Sequence, residues 1–244
     1  MCLKNYKIIA LSDLHGQLPE IKESFDLMLL AGDLVELYSQ SSRKATKEWF
    51  EICFSDWINS LPFNNDDSKV LWIAGNHEVG FEKLRSSGRR ILANLVNERT
   101  NGRAIYLEDE LYNFHGITVY GTPWCKIFGN WAFMKSYDDL KETYLNIPKN
   151  IDILLTHDAP YGTSDLCFDW AKWNRNLIHI GNEPLRDAII EKSPTYNIHG
   201  HLHSANHEEE VLENTKVYCV SLLNEEYNIS YSPLILNINK ENGN

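Results

Sequence analysis

Eight side chains define the chemistry open to this chain: Asp13, His15, Asp33, Asn76, His77, His157, His201 and His203. Carboxylates, imidazoles and a carboxamide together suit Mn, Fe, Zn or Co, whereas calcium prefers an all-oxygen shell. No thiolate is among them, which argues against a structural zinc site. One tetrahedral ion needs fewer ligands than this. Two ions sharing a bridging carboxylate would use them, and ions roughly 3.5–4 Å apart are the usual arrangement for in-line displacement at phosphorus. The stretch YNIHGHLHS, residues 196–204, sharpens the question, because His199, His201 and His203 alternate. Alternate residues share one face of an extended strand. A row of imidazoles suits a dry core poorly, since each ring nitrogen wants a hydrogen-bond partner.

The elements that must position these groups repeat one design. YKIIALSDLHG, DLMLLAGDLVE, KVLWIAGNHE, IDILLTHDAP and TYNIHGHLH are each a short apolar run ending in Asp, Asn or His. Such runs read as buried strands followed by loops. In open α/β sheets ligands bind at the carboxyl ends of strands. Apolar residues at helical spacing predict helices over 43–61 and 81–95 and a third over 184–192 with Asn182 as its N-cap. RAIYLEDELYNFHGITVYGTPW alternates and turns at His115-Gly116, which predicts antiparallel strands, and VYCVSLLN and SPLILNIN predict closing strands. Taken singly, Asp13 and Asp33 are ordinary turn residues and His157 an ordinary loop histidine. What argues for chemistry is their recurrence at the same structural place.

The chain has 244 residues, 43% hydrophobic and 23% charged, enough for a full core and unlike a disordered segment. A single domain over 1–244, built of strands and helices in layers, is the economical expectation. The formal net charge of -11 argues against extended nucleic-acid binding, which needs Lys and Arg to neutralise phosphates. A small phosphoester ligand is compatible with it, because bound cations reverse the local field. Cys2, Cys53, Cys125, Cys167 and Cys219 are scattered and odd in number, which fits a reducing compartment. With no signal-like segment and no membrane-spanning run, the expectation is a cytoplasmic protein without a membrane partner.

The ordered set Asp13-Leu14-His15, Gly32-Asp33-Leu34-Val35-Glu36, Gly75-Asn76-His77-Glu78, Thr156-His157 and Gly200-His201-Leu202-His203 resembles the calcineurin-like metallophosphoesterase superfamily. The resemblance runs from near the N-terminus to residue 203, and the ordered set is far more specific than any one tripeptide. It implies a four-layer αββα sandwich of two mixed sheets flanked by helices. It implies two divalent ions, Mn first, with Fe, Zn, Co or Mg as alternatives. Asp13, His15 and His203 would hold one, Asn76, His157 and His201 the other, and Asp33 would bridge them. A metal-bridged hydroxide would attack phosphorus, Asn76 would help stabilise developing charge, and His77 would protonate the leaving oxygen as general acid. Glu36, at the last position of G-D-x-x-D in relatives, would orient His77. His199 falls outside the motif and reads as a strand or supporting residue.

A second resemblance, through YLEDELYNFHGITVYGTPW, THDAPYG and HIGNEPLRDAI, points to a compact branch with animal and bacterial members. Those members are linked to class III cyclic nucleotide phosphodiesterases. It implies a phosphodiesterase acting on a small phosphodiester, with cyclic nucleotides among the candidates. Asp158-Ala159 departs from that branch's usual Gly-Pro. Trp124 and Phe128 are candidates to stack on a substrate ring, with Phe133 assigned to the core. Asn182 could face a phosphate from a helix N-terminus, against the simpler role of capping. Arg85, Arg89 and Arg90 read as a solvated helix face. One rival reading is a nucleotide or protein phosphomonoesterase, although Leu-Val-Glu-Leu-Tyr after Gly-Asp differs from the Ser/Thr phosphatases. Another is a non-catalytic metal-binding scaffold, against which stand the filled ligand positions and the presence of His77.

Overall fold

The computed structural model describes residues 3–168 and 176–241; Cys2 lies outside them. Among the described residues the strands are β1 (Leu3–Leu11), β2 (Leu27–Ala31), β3 (Lys69–Ile73), β4 (Ala104–Tyr106), β5 (Glu110–Phe114), β6 (Ile117–Thr122), β7 (Cys125–Lys126), β8 (Met134–Lys135), β9 (Ile153–Thr156), β10 (Leu166–Phe168), β11 (Leu177–His179), β12 (Tyr196–His199), β13 (Glu210–Leu212), β14 (Thr215–Cys219) and β15 (Leu234–Glu241). The helices are α1 (Arg43–Trp49), α2 (Ser55–Asn59), α3 (Val79–Glu82), α4 (Arg85–Arg99), α5 (Tyr137–Tyr144) and α6 (Glu183–Lys192). A π turn at Phe50–Phe54 joins α1 to α2, so the helix expected over 43–61 runs with a wider turn at its centre. The described helices include none long and apolar enough to cross a membrane.

Two mixed sheets carry the fold. One has the order β15-β1-β2-β3-β4, the other β13-β14-β12-β9-β6-β5. Strands β1, β2 and β3 run parallel, as do β6, β9 and β12, while β15 closes the first sheet antiparallel to β1. The strand alternation explains the layering. Ile8, Ala10, Leu27, Leu29, Leu71 and Ile73 point between the sheets to meet Val119, Ile153, Leu155 and Ile198. Their neighbours Ile9, Leu11, Met28, Leu30, Val70 and Trp72 point the other way, onto Phe50, Phe54, Ile58 and Leu92 of the helices. On the far side Tyr120 and Leu154 pack under Leu140 and Tyr144 of α5 and Leu185 and Ile189 of α6. The result is the expected four-layer αββα sandwich. Buried on both faces, these parallel strands read as continuous apolar runs.

The expected hairpin turn is present, with His115 and Gly116 at φ 50° and 89° between the paired β5 and β6. Helix α5 was not anticipated, although Ser136 caps it by accepting the Asp139 N–H at 3.3 Å. The arginine expectation holds only in part. Arg90 is partly exposed and pairs with Glu110 at 2.7 Å, whereas Arg89 is buried. Its Nε and Nη2 donate to Glu108 at 2.7 and 2.5 Å, and a planar guanidinium needs such a fork when taken out of water.

Candidate metal centre

The carboxyl ends of β1, β2, β3, β9 and β12 meet at one edge, and the two sheets are tied together there. Ser12 N–H donates to Val220 at 2.9 Å and Leu222 N–H to Ser12 at 3.0 Å, a bridge between the ends of β1 and β14. The loops that follow the strands turn sharply. Asp13, His15, Asp33 and His201 all have positive φ, between 43° and 72°. Non-glycine residues seldom adopt that conformation, and strain of this kind gathers at functional sites. Two motif glycines are there for close approach. A Cβ on Gly75 would strike the Asp33 carboxylate, and one on Gly200 would strike Ser12 and the Asp13 carboxylate.

Asp13 is fully buried. It accepts from Ser12 Oγ at 2.5 Å, Ser221 Oγ at 2.8 Å and the His201 N–H at 3.0 Å. His203 Nε2 lies 3.5 Å from its Oδ1. Asp33 Oδ2 sits among three imidazoles: 3.3 Å from His157, 3.9 Å from His15 and 4.0 Å from His77. Asn76 Oδ1 is 3.0 Å from His157 Nε2. Asp13, His15 and His203 offer donor atoms within 4.8 Å of one another, as do Asp13, Asp33 and His157. Two further such groups are Cys125 with His157 and His201, and His77 with His15 and Asp33. The groups around His203 and His201 differ, so the two histidines of Gly-His-Leu-His face different neighbours. Among the described residues His199 joins no such group; it ends β12, fully buried, with Nδ1 3.0 Å from the Gly200 oxygen.

These donors fit divalent cations. Both ring nitrogens of His15 are buried without a hydrogen-bond partner among the described residues, an arrangement that otherwise costs about 1–3 kcal/mol per group. The outer contacts also match, since Nδ1 of His157 lies 2.7 Å from the Ala31 oxygen and Nδ1 of His203 lies 2.9 Å from the Asn224 oxygen. Metal-binding histidines commonly donate their second nitrogen this way.

Burial would push His157 down, but the Asp33 carboxylate beside it outweighs burial and lifts the imidazole to about 10. His203 rises to about 9 for the same reason, through Asp13. Burial takes His15 down to about 4 and lowers His201. A cation entering the metal-free protein therefore finds His15 and His201 neutral and must displace protons from His157 and His203. Calorimetric titration with Mn near about pH 8, in buffers of different ionisation enthalpy, should report about two protons released per chain. Affinity should rise with pH until the raised values are passed. Binding without proton release would remove these two histidines from the ligand set.

Beside the donors lies a cavity of about 440 Å³ lined by His77, Phe128, Trp131, His201 and Tyr227 among others. Phe128 lies there as expected, exposed, its ring 5.0 Å from that of His201. Trp124 does not line it. Its indole Nε1 donates to Asp109 at 2.8 Å and its ring packs against Phe133, which is in the core as expected. Trp131 takes that place, its ring 4.4 Å from that of His77. Asn182 is also withdrawn. Fully buried, it accepts the Leu185 N–H at 3.0 Å as the cap of α6 and donates to Asp158 at 3.1 Å. Asp158 itself is buried, accepting the Lys126 N–H at 3.0 Å.

Glu36 does not orient His77. Its carboxylate accepts from Ser39 Oγ at 2.5 Å. The chain makes one helical turn, with the Gln40 N–H on the Glu36 oxygen at 3.1 Å, and Gln40 reaches His77 Nδ1 at 2.6 Å. Two further residues escaped the sequence reading. Tyr227 stands edge-on to His15 and His203, at 4.9 and 5.2 Å between ring centres, and no local signal marks it. Glu78 was visible in Gly-Asn-His-Glu without a role. It is fully buried and accepts four backbone N–H groups: Leu34 at 2.8 Å, Val35 and Asp33 at 3.0 Å, and Gly75 at 2.5 Å. It thus binds the loop after β2 to the loop after β3. Burial and the neighbouring Asp33 charge push its carboxyl up to about 7 in spite of these donors.

A family profile described as calcineurin-like phosphoesterase matches residues 6–205. A UPF0046 protein of Caenorhabditis elegans is 28% identical over 242 residues, covering 95% of this chain and 80% of that protein. Metallophosphoesterase domain-containing protein 1 of Homo sapiens is 28% identical over 219 residues, covering 81% of this chain and 60% of that protein. The chain thus spans less than two thirds of the human relative. Among solved structures, the phosphopantetheinyl hydrolase of Mycobacterium tuberculosis superposes with a TM-score of 0.54 at 13% identity, covering 91% of this chain and 90% of that one. That likeness speaks to the fold alone. With five motif blocks converging at one end of the two packed sheets inside the matched span, the chain belongs to the calcineurin-like phosphoesterase family, metal-dependent hydrolases acting on phosphoester bonds.

Proposed function

We propose that this chain is a dinuclear metal-dependent phosphodiesterase acting on a small phosphodiester. Asp13, His15 and His203 would hold one cation and Asn76, His157 and His201 the other, with Asp33 between them. The observation that carries the reading is the convergence of six side chains around Asp33, with His77 at the cavity wall. Divalent cations there would polarise the phosphoryl oxygens and activate a water for attack. His77 holds its Nε2 toward that space and donates a proton to the departing ester oxygen. Asn76, its carboxamide beside His157, faces the same space.

The choice of diester over monoester rests on charge. A monoester brings a second negative charge into the cavity. Among the described lining residues Lys126 is the one Lys or Arg, and its Nζ donates to the Gly181 oxygen at 2.6 Å. Glu225 and Asp158 add negative charge to the wall, while Phe128, Trp131 and Tyr227 supply apolar surface for a second ester group.

The test is hydrolysis of bis-p-nitrophenyl phosphate against p-nitrophenyl phosphate, with Mn and with chelator. Metal-dependent cleavage should favour the diester by at least about tenfold in kcat/KM. Cleavage of the monoester alone would overturn the diester reading. Turnover of neither, with two metals bound, would leave a metal-binding scaffold. His77→Ala should retain both metals and lose about 10²–10⁴-fold in kcat on esters with poor leaving groups.

A further inference from the structure

Gln40 belongs to none of the motif blocks, yet its Oε1 stands 2.6 Å from His77 Nδ1. We infer that Gln40 is the positioning residue of the proton donor: its amide oxygen fixes the ring so that Nε2 alone faces the reacting ester. The inference rests on the phosphodiesterase reading, in which His77 protonates the leaving group.

The contact belongs to a packed unit. The Gln40 carbonyl accepts the Gly80 N–H at 2.5 Å, Thr46 Oγ1 donates to the Ser39 oxygen at 2.8 Å, and Lys83 Nζ donates to the Ser41 oxygen at 3.1 Å. A Cβ on Gly80 would collide with Thr46 and Ser42, so residues 39–46 lie tightly on the segment that follows His77. Phe81 anchors that segment in the core, 5.4 Å from Phe50 and 5.6 Å from Trp72. Trp131 covers one face of the His77 ring at 4.4 Å. The His77 backbone is fixed as well, its N–H donating to Asp33 Oδ1 at 2.8 Å.

The proton accounting follows from the acceptor. An amide oxygen only accepts, so the hydrogen between the two groups sits on His77 Nδ1. As the phosphorus–oxygen bond breaks, the Nε2 proton passes to the leaving oxygen and the electron pair of the N–H bond stays on the ring. The neutral ring that remains is the Nδ1–H tautomer, the one Gln40 accepts from. An amide does this without adding a full negative charge beside Asp33, as a carboxylate would.

The test compares leaving groups. Phenolate, conjugate base of an acid as weak as tyrosine's phenol, needs protonation far more than p-nitrophenolate does. Gln40→Leu should lose about a hundredfold in kcat on diphenyl phosphate and less than about threefold on bis-p-nitrophenyl phosphate, with KM unchanged on both. Gln40→Glu, which keeps an acceptor in place, should recover most of the diphenyl phosphate rate. Equal losses on both substrates, or no loss on either, would overturn the inference. If Gln40→Leu does not fold, long-range ¹H–¹⁵N correlation of the wild-type protein decides: the neutral His77 ring should carry its hydrogen on Nδ1, and a ring with bare Nδ1 overturns the assignment. Absence of any wild-type turnover would defeat the phosphodiesterase reading, and the tautomer measurement would still decide the role of Gln40.

Discussion

Asp33→Asn is expected to lower metal-dependent diester hydrolysis by at least about a thousandfold and to reduce bound metal from about two ions per chain to one or none. The carboxylate lies 3.3–4.0 Å from three imidazoles through a single oxygen, and its other oxygen accepts the His77 N–H at 2.8 Å. It is buried, and although burial opposes ionisation, His157 and His77 hold it well below the usual carboxylate range. It is therefore present as an anion between the two donor groups. Asparagine keeps the shape, removes the charge and turns an NH₂ group toward one side of the site, where a cation repels it. Metal analysis of purified protein alongside turnover separates the two consequences. A variant that retains both ions and full turnover would show that the cations are not bridged by Asp33.

Glu78→Ala is expected to cost at least about 4 kcal/mol of stability, because it strands four buried N–H donors that have no other acceptor among the described residues, at about 1–3 kcal/mol each. Losses of that size come from a short set of mechanisms, of which a broken buried network is one. Activity should fall with stability, since Glu78 holds the loop that carries Asp33 against the loop that carries Asn76. Denaturant unfolding of the metal-free protein measures the first effect without interference from metal binding. Glu78→Gln separates hydrogen bonding from volume. It fills the same space but presents an amide nitrogen to two of the N–H groups, so it should also be destabilised, by about 2 kcal/mol or more. A glutamine variant as stable as wild type would mean that the carboxylate acts only as filler.

That these candidate donors would gather was legible in the sequence for a physical reason. Parallel strands of one sheet deliver their following loops to the same edge, so Asp13, Asp33 and Asn76-His77 come together once β1, β2 and β3 are parallel neighbours. His157 and His201-His203 follow from β9 and β12 in the same way. The apolar runs also gave the layering, because alternation assigns Ile8 and Ile9 to opposite faces whatever they meet there. Asn182 as a cap and the His115-Gly116 turn were local matters, and local chemistry decided them.

The support around the ligands was not legible, because it depends on directions that only the packed chain sets. Glu36 and Gln40 are one helical turn apart; Ser39 engages the carboxylate of the first, and His77 meets the amide of the second. Trp124 and Trp131 are equally aromatic in sequence; an acceptor at Asp109 draws the first away from the cavity, and the ring of His77 receives the second. Arg89 looks solvated until Glu108, from beyond β4, arrives opposite it. Tyr227 reaches the site from more than 200 residues past His15, from the loop between β14 and β15. The sequence by itself determined which donors recur at strand ends and, through the resemblance of the ordered motif set, which fold would carry them, since apolar alternation and motif order are written along the chain. Tertiary structure decided what holds each donor and what lines the cavity, since those contacts join segments whose separation along the chain carries no record of their meeting.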